Sequence, residues 1–136
     1  MNNSELIKIA LEARKMSYSP YSGFAVGAAL LCADGTVYTG CNIENSAFSP
    51  TNCAERTSFF KAVSEGKLNF VKIAVVGGKK EEITPVNYCP PCGVCRQVMK
   101  EFCFSEFEII IAKNADEFKV MTLEQLLPES FDKREV

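Results

Sequence analysis

The amino-acid sequence predicts an α/β domain in which a mixed sheet of five strands carries helices on both faces. Helical patterns alternate with strand patterns along the chain, one strand is apolar on both faces, and a turn signal joins two strands as a hairpin. The predicted order is helix, hairpin, helix, strand, helix, strand, strand, helix. All 136 residues, 1–136, are expected to form one domain, because this length suits a single core.

The first half of the chain supplies a helix and a hairpin. Residues 4–16 repeat apolar side chains at helical spacing, and Asn2 or Asn3 is a suitable N-cap. After a loop with Pro20 and Gly23, residues 24–32 are almost continuously apolar, which is typical of a strand buried on both faces. Asp34-Gly35 is a hairpin signal, so residues 36–41 are predicted to pair back as the second strand.

The second half alternates helices and strands. A polar loop leads into a helix over residues 53–65, which Gly66 ends. A later helix starts near Pro91 and has one inward face at Cys95, Val98, Met99 and Phe102. Thr122 to Gln125 form a capping box before a short helix that ends at Pro128. Strands are predicted between these helices, over residues 70–76, 107–112 and 118–121.

Charge and hydropathy exclude several classes of partner. Fifteen basic and 17 acidic residues give a net charge of −2, and no basic stripe of the kind that tracks a phosphate backbone is visible. No apolar run reaches the roughly 18 residues that a membrane-spanning helix needs. The N-terminal sequence lacks the pattern of a secretory signal. A cytoplasmic location is therefore expected.

Cysteine and histidine usage narrows the chemistry. The chain has seven cysteines and no histidine. In a reducing compartment an odd number of thiols indicates metal binding or core packing more than disulfides. Without imidazole, sulfur or carboxylate must hold any zinc ion, and the general acid or base must be another group.

Two short segments carry this chemistry, and each lies at a predicted helix start. The first reads Asn-Cys-Ala-Glu-Arg and contains Cys53, while the second reads Pro-Cys-Gly-Val-Cys-Arg and contains Cys92 and Cys95. Two thiols at Cys-x-x-Cys spacing can bind one ion from a single turn, and the positive end of a helix lowers the pKa of a thiol. These cysteines are candidate ligands for one Zn²⁺ ion per chain.

Other interpretations of the cysteines stay open on the residues alone. A Cys-x-x-Cys pair can serve redox chemistry or pack in the core. Cys89 stands three residues before Cys92, so a structural site of four thiols is a further alternative. Pro90 and Pro91 stiffen the chain between them, which favours the three-thiol site. The remaining cysteines fall on strands or at a helix end and are predicted to lie in the core: Cys32, Cys41 and Cys103.

Glu55 has two possible roles. Asn52-x-x-Glu55 matches a capping box, in which the glutamate bonds back to the N-cap amide. Hydrolysis beside an open zinc position instead needs a group that takes a proton from water and returns it to the leaving group. Because the chain has no histidine, Glu55 is the candidate general acid and base.

These segments, together with Cys-Asn-Ile-Glu-Asn at residues 41–45, resemble the small nucleoside cytidine deaminases over most of the chain. The resemblance implies a three-layer α/β/α cytidine-deaminase-like fold. It also implies zinc held by Cys53, Cys92 and Cys95, with Glu55 as the proton shuttle and Arg56 bonding a ligand sulfur. The implied reaction is hydrolytic deamination of free cytidine and deoxycytidine to uridine and deoxyuridine, in pyrimidine salvage.

Substrate contacts are expected mainly in the loop that follows the second strand. An amide and a carboxylate, Asn42 and Glu44, can pair with two sugar hydroxyls, and the resemblance assigns them to the ribose. It further implies contacts to the base and the 5′-hydroxyl from the Phe24 ring and from the amides near Ala47 and Ala54. The family often has tyrosine where this chain has Phe48, so the ring hydroxyl is missing at that position.

The resemblance also implies a homotetramer with D2 symmetry, whose active sites are shared between subunits. Phe131 is a large apolar ring in an otherwise polar tail, residues 129–136, and it matches the family's aromatic residue that reaches over a neighbour's base pocket. An apolar helix stripe is expected to supply part of the interface: Ala54, Phe59, Phe60 and Val63.

Two alternative functions remain open at this point. A deaminase of the same fold can act on another cytosine nucleoside, such as blasticidin S, although the Asn-Ile-Glu-Asn loop is not expected there. A non-enzymatic zinc module would fill all four zinc positions and tolerate the loss of Glu55. The expected partners are a small-molecule nucleoside and water, with neither nucleic acid nor membrane.

Overall fold

A computed structural model of the chain describes residues 1–133, so residues 134–136 of the predicted tail lie outside the described residues. Helices and strands follow in the predicted order. Their bounds are α1 Asn3–Arg14, β1 Phe24–Cys32, β2 Val37–Cys41, α2 Ala54–Ser64, β3 Phe70–Lys79, α3 Gly93–Phe102, β4 Glu108–Asn114, β5 Glu117–Thr122 and α4 Leu123–Leu126.

The strands form one mixed sheet in the order β2-β1-β3-β4-β5, which confirms the predicted class. β1 pairs antiparallel with β2 on one side and with β3 on the other. β3 and β4 are parallel, with α3 between them in the chain, and β5 returns antiparallel to β4. A parallel pair needs a long crossover, and α3 provides it.

Two apolar layers lie on opposite faces of the sheet, which gives three layers. Because side chains alternate along a strand, Ala28 and Leu30 face α2 and α3, whereas Ala29 and Leu31 face α1. The same alternation runs through β3 and β4. β1 is therefore buried on both faces, as its apolar sequence predicts.

Several predicted bounds differ from the observed ones. β3 continues to Lys79 rather than ending at residue 76, because residues 77–79 stay paired with the start of β1. α2 begins at Ala54 with Cys53 as its N-cap, one residue later than predicted. At α1, Asn2 is the N-cap and forms a capping box with Glu5.

Two glycines allow the helices to lie against the sheet backbone. A Cβ at Gly27 would stand 2.1 Å from the Ala10 carbonyl oxygen of α1. A Cβ at Gly40 would stand 2.2 Å from the Ala54 carbonyl oxygen and 2.7 Å from the Ser58 nitrogen. Only glycine allows this approach, so Gly40 fixes the first turn of α2 close to β2.

The apolar stripe proposed for α2 as a subunit interface is partly wrong. Ala54 and Phe59 are fully buried within the chain's own core, against the sheet face that α3 also covers. Phe60 is about half exposed, and Val63 is half-buried. Only this outer half of the stripe is available to a partner. In the described part of the chain, no helix has the length and apolar content that crossing a bilayer requires.

Candidate active site

The first turns of α2 and α3 bring three thiols together. Cys53 is the N-cap of α2 and Cys92 is the N-cap of α3, and neither side chain caps its own helix. The Sγ atoms of Cys53, Cys92 and Cys95 lie within 4.8 Å of one another, and those of Cys53 and Cys92 are 3.8 Å apart. Two sulfurs on one tetrahedral zinc ion stand about 3.8 Å apart, because Zn–S is about 2.3 Å. The cluster therefore fits zinc and leaves the fourth position open.

Cys89 is not part of this cluster. A Cβ at Gly77 would stand 2.7 Å from the Cys89 Sγ, which shows that the thiol lies against the backbone of β3. Burial, with the nearby Glu55, raises the pKa of the Cys89 thiol to about 12, which favours the protonated form over the thiolate that a metal needs. Among residues 1–133, the metal-binding group has three thiols and not four.

The other cysteines fall largely where the sequence predicts. Cys32 is buried in the core between the sheet and α2, and Cys103 packs against the same core. Cys41 is only half-buried, at the end of β2. Burial raises the pKa of each of these thiols.

Arg56 contacts the cluster directly. Its Nη2 donates a hydrogen bond to the Cys53 Sγ at 3.2 Å. A hydrogen bond from Cys95 and the Arg56 guanidinium lower the pKa of the Cys53 thiol to about 5, although burial opposes them. The thiolate of Cys53 is thus favoured before any metal binds. The Arg56 Nε is buried and makes no hydrogen bond within residues 1–133.

Glu55 is almost fully buried in the first turn of α2. The capping-box interpretation is wrong, because Cys53 rather than Asn52 is the N-cap and Asn52 Nδ2 instead donates to Thr57 Oγ1 at 3.3 Å. Burial raises the pKa of the Glu55 carboxyl to about 7. A carboxyl with this pKa is able to accept and to release a proton near neutral pH.

Asn42 connects the loop after β2 to the start of β1. Its Oδ1 accepts hydrogen bonds from Ser17 Oγ at 2.5 Å and from the Val26 N–H at 2.9 Å. Its Nδ2 donates to the Phe24 carbonyl oxygen at 2.8 Å. A side-chain amide has two N–H donors, and hydrogen bonding within residues 1–133 uses one of them, so the other is available to a ligand. Phe24, which is 40% exposed, is held in place by hydrogen bonds of its backbone.

Glu44 is held by the loop before β1. Its Oε1 accepts from the N–H groups of Tyr21 and Ser22 at 3.0 and 3.1 Å, and its Oε2 accepts from Ser22 Oγ. These hydrogen bonds, led by the Ser22 hydroxyl, lower the pKa of the Glu44 carboxyl. Sequence reasoning missed Ser22, because a serine beside glycine in a loop signals only a turn.

The other predicted contact residues lie in the loop before α2, at the start of α2 and in the tail after α4. The Ala47 N–H donates to Asn45 Oδ1 at 3.0 Å, and Ala54 is the buried first residue of α2. Phe48 and Phe131 are exposed by 96% and 59%. The structure therefore brings Cys53, Cys92, Cys95 and Arg56 into one cluster, with Glu55 beside it on α2, and leaves these two aromatic rings open to solvent.

Comparison with known families decides how the cluster is to be understood. Residues 1–111 match the family described as "Cytidine and deoxycytidylate deaminase zinc-binding region". The chain belongs to this deaminase family. The matched range contains the three clustered thiols and Glu55, so the zinc-binding region of the family and the geometry of the thiols point to the same ion.

Several relatives that match this chain over nearly their whole length are named cytidine deaminase. The chain is 46% identical over 136 residues to a cytidine deaminase of Sporosarcina psychrophila, covering 100% of this chain and 96% of the relative. It is 47% identical over 131 residues to one from Halalkalibacterium halodurans, covering 96% and 95%. A crystal structure of cytidine deaminase from Burkholderia pseudomallei superposes with a TM-score of 0.87 at 41% identity, covering 96% of this chain and 100% of the other. The deaminase fold of the family is therefore the fold of this chain.

Proposed function

We propose that this protein catalyses the zinc-dependent hydrolytic deamination of free cytidine and deoxycytidine to uridine and deoxyuridine, as a step of pyrimidine salvage. The observation that carries the proposal is a buried carboxyl, Glu55, two residues from a thiol of a three-cysteine zinc cluster. The names of its relatives, which are similar over nearly their full length, support the same reaction.

Different residues of the chain have different roles in this reaction. Zinc, when held by Cys53, Cys92 and Cys95, supplies a Lewis acid that polarises the attacking water. The Glu55 carboxylate takes the two protons of that water in turn and passes one to ring N3 and the other to the leaving amine, while the water oxygen stays on C4 as the carbonyl and ammonia is released. Three thiolates leave the zinc site with net negative charge, and the Arg56 guanidinium offsets it through its bond to Cys53.

Binding of the nucleoside is assigned to the loop beside this centre. The free N–H of Asn42 and the carboxylate of Glu44 offer a donor and an acceptor to the sugar hydroxyls. The Phe24 ring lines the base pocket, and the amides near Ala47 and Ala54 contact the 5′-hydroxyl and the base. This sugar-binding set favours a nucleoside over a blasticidin-type substrate, and a zinc module without activity has no use for Glu55.

The assembly and location follow as parts of the same proposal. The chain, residues 1–136, is one deaminase domain that assembles as a homotetramer and works in the cytoplasm. Two large exposed rings, Phe48 and Phe131, support contacts between subunits. The cysteines are free thiols, which suits a reducing compartment.

The experiment is loss of cytidine absorbance on incubation with zinc-loaded protein, repeated after treatment with a zinc chelator. Cytidine and deoxycytidine are expected to be converted, and the chelator is expected to abolish conversion. A single-stranded oligonucleotide containing cytosine serves as the control substrate and is expected to remain unchanged. Inert cytidine would contradict the deaminase, and an oligonucleotide converted at a comparable rate would contradict the preference for free nucleosides.

A further inference from the structure

We propose that Ser22 is a positioning residue that orients the Glu44 carboxylate toward the sugar of the substrate. This inference rests on the proposed function and names a residue that the reaction chemistry itself does not require. Ser22 lies in the loop between α1 and β1, and its hydroxyl donates to the carboxylate of Glu44, which follows the strand that ends at Cys41.

Among residues 1–133, Ser22 contributes two of the three hydrogen bonds that hold this carboxylate. Its hydroxyl donates to Glu44 Oε2, its own N–H donates to Oε1 at 3.1 Å, and the Tyr21 N–H donates to Oε1 at 3.0 Å. Two carboxylate oxygens offer about four acceptor positions. Three of these are occupied, so the plane of the carboxylate is fixed and about one position remains for a ligand hydroxyl.

The Ser22 hydroxyl has a defined direction, because it also accepts a hydrogen bond. The Phe24 N–H donates to Ser22 Oγ at 3.0 Å. A backbone N–H can only donate, and an ionised carboxylate can only accept. The hydroxyl proton must therefore point at Glu44 while a lone pair points at Phe24. The contact to Oε2 is set by the start of β1 and not only by the loop.

Hydrogen bonds link both proposed sugar-binding residues, Asn42 and Glu44, to the backbone of Phe24. Phe24 donates through its N–H to Ser22 and accepts at its carbonyl oxygen from Asn42 Nδ2 at 2.8 Å. Glu44 is thus tied to Phe24 through Ser22, and Asn42 is tied to it directly. β1 is an interior strand that pairs with both β2 and β3, so these hydrogen bonds fix the positions of the proposed sugar-binding groups relative to the sheet.

Removal of the hydroxyl is a local change. Ser22 is exposed, so alanine there opens no cavity, and the two backbone bonds to Oε1 remain. Only the bond to Oε2 and the acceptor for the Phe24 N–H are lost. Threonine keeps a hydroxyl on the same carbon and is the conservative variant for rescue.

The test compares Ser22→Ala and Ser22→Thr with the unmodified enzyme, all zinc-loaded. For Ser22→Ala we expect KM for cytidine to rise about three- to tenfold, with kcat within about twofold and with zinc content and melting temperature retained. Ser22→Thr should restore KM. The inhibition constant of 2′,3′-dideoxycytidine, which lacks both sugar hydroxyls, should not change in Ser22→Ala. The double variant Ser22→Ala/Glu44→Ala should be no worse than Glu44→Ala alone.

Each opposite outcome has a clear meaning. An unchanged KM in Ser22→Ala, an equal loss for dideoxycytidine, a failure of threonine to rescue, or effects that add in the double variant would overturn the assignment of Ser22. If the unmodified, zinc-loaded enzyme leaves cytidine intact, the proposed function fails and takes this inference with it. Activity of the unmodified enzyme thus separates the two failures.

Discussion

We expect the proposed reaction to depend most on Glu55, because it is a buried carboxyl two residues from a clustered thiol in a chain without histidine. Glu55→Gln keeps the size and shape of the side chain but can neither take up nor release a proton. We expect kcat to fall by about 10²–10⁴ while zinc content and fold persist. Initial rates with cytidine, together with zinc analysis, measure this.

Glu65→Gln is the matched control, since Glu65 is exposed at the other end of α2. It is expected to leave turnover near normal. Near-normal turnover of Glu55→Gln as well would reduce Glu55 to a structural residue of the helix start.

Serine substitutions at Cys92 and Cys89 test which thiols bind zinc. Cys92→Ser is expected to lose zinc, because serine is a poor replacement for a thiolate ligand. Cys89→Ser, three residues earlier, is expected to retain about one zinc per chain, because the Cys89 thiol lies against Gly77 and outside the cluster. Metal analysis of the two purified variants decides between them. Equal zinc loss from both would revive the four-thiol site.

At the scale of elements, the contact between β2 and α2 sets where the first turn of α2 lies. Gly40→Ala places a Cβ 2.2 Å from the Ala54 carbonyl oxygen, so α2 must move away from the sheet. We expect the free energy of unfolding to fall by about 1–3 kcal/mol, as for other overpacked sites. Zinc affinity should also fall, because Cys53 moves with the helix. Chemical denaturation and a zinc competition assay measure the two effects.

Gly93→Ala provides the control for this substitution. A Cβ at Gly93, in the first turn of α3, meets nothing within 4 Å. Its unfolding free energy is expected to stay the same or to rise slightly, because alanine favours helix more than glycine does. If Gly40→Ala is as stable as Gly93→Ala, the close approach of β2 and α2 is not required.

Elements with a strong local pattern could be predicted from the sequence, and those decided by pairing could not. The apolar run of β1 and the helical spacing of α3 gave their positions to within a few residues. The end of β3 was missed because Gly77-Gly78-Lys79 resembles a loop, and only its pairing with β1 makes it a strand.

The same division applies to the site. The zinc thiols could be predicted because their spacing and position at helix starts have a direct chemical reason. Ser22 could not, because its role depends on a hydrogen bond to Glu44 from a loop 22 residues away in the sequence. The inward half of the α2 stripe was assigned to an interface because periodicity identifies an apolar face but not what covers it.

At the scale of the whole molecule, three aromatic residues predicted to contact substrate or to lie near it are exposed in a single chain. Phe24, Phe48 and Phe131 are exposed by 40%, 96% and 59%. A reaction that generates a strong nucleophile from water benefits when bulk solvent is excluded. Within residues 1–133 each of these residues keeps at least 40% of its surface exposed, so a neighbouring subunit is the expected cover.

The tail that carries Phe131 is fixed to the helix that carries two of the zinc thiols. Gln97 Nε2 donates to the Phe131 carbonyl oxygen at 3.0 Å, and Lys100 forms a buried ion pair with Asp132 at 3.9 Å. Both partners lie on α3, after Cys92 and Cys95. These contacts hold the backbone of the tail in place, while Phe131 stays exposed. An exposed ring on a fixed backbone is available for contact with another subunit.

We therefore expect a D2 homotetramer in which Phe131 reaches the base pocket of a neighbour. Light scattering at micromolar concentration should give the mass of four chains. Phe131→Ala should raise KM for cytidine through weaker stacking on the base, while zinc content stays unchanged. Phe104→Ala, which removes another exposed ring just beyond the end of α3, is the control and should leave KM unaltered. A fully active monomer would contradict the shared site, because catalysis would then not require the Phe131 ring of a neighbouring subunit.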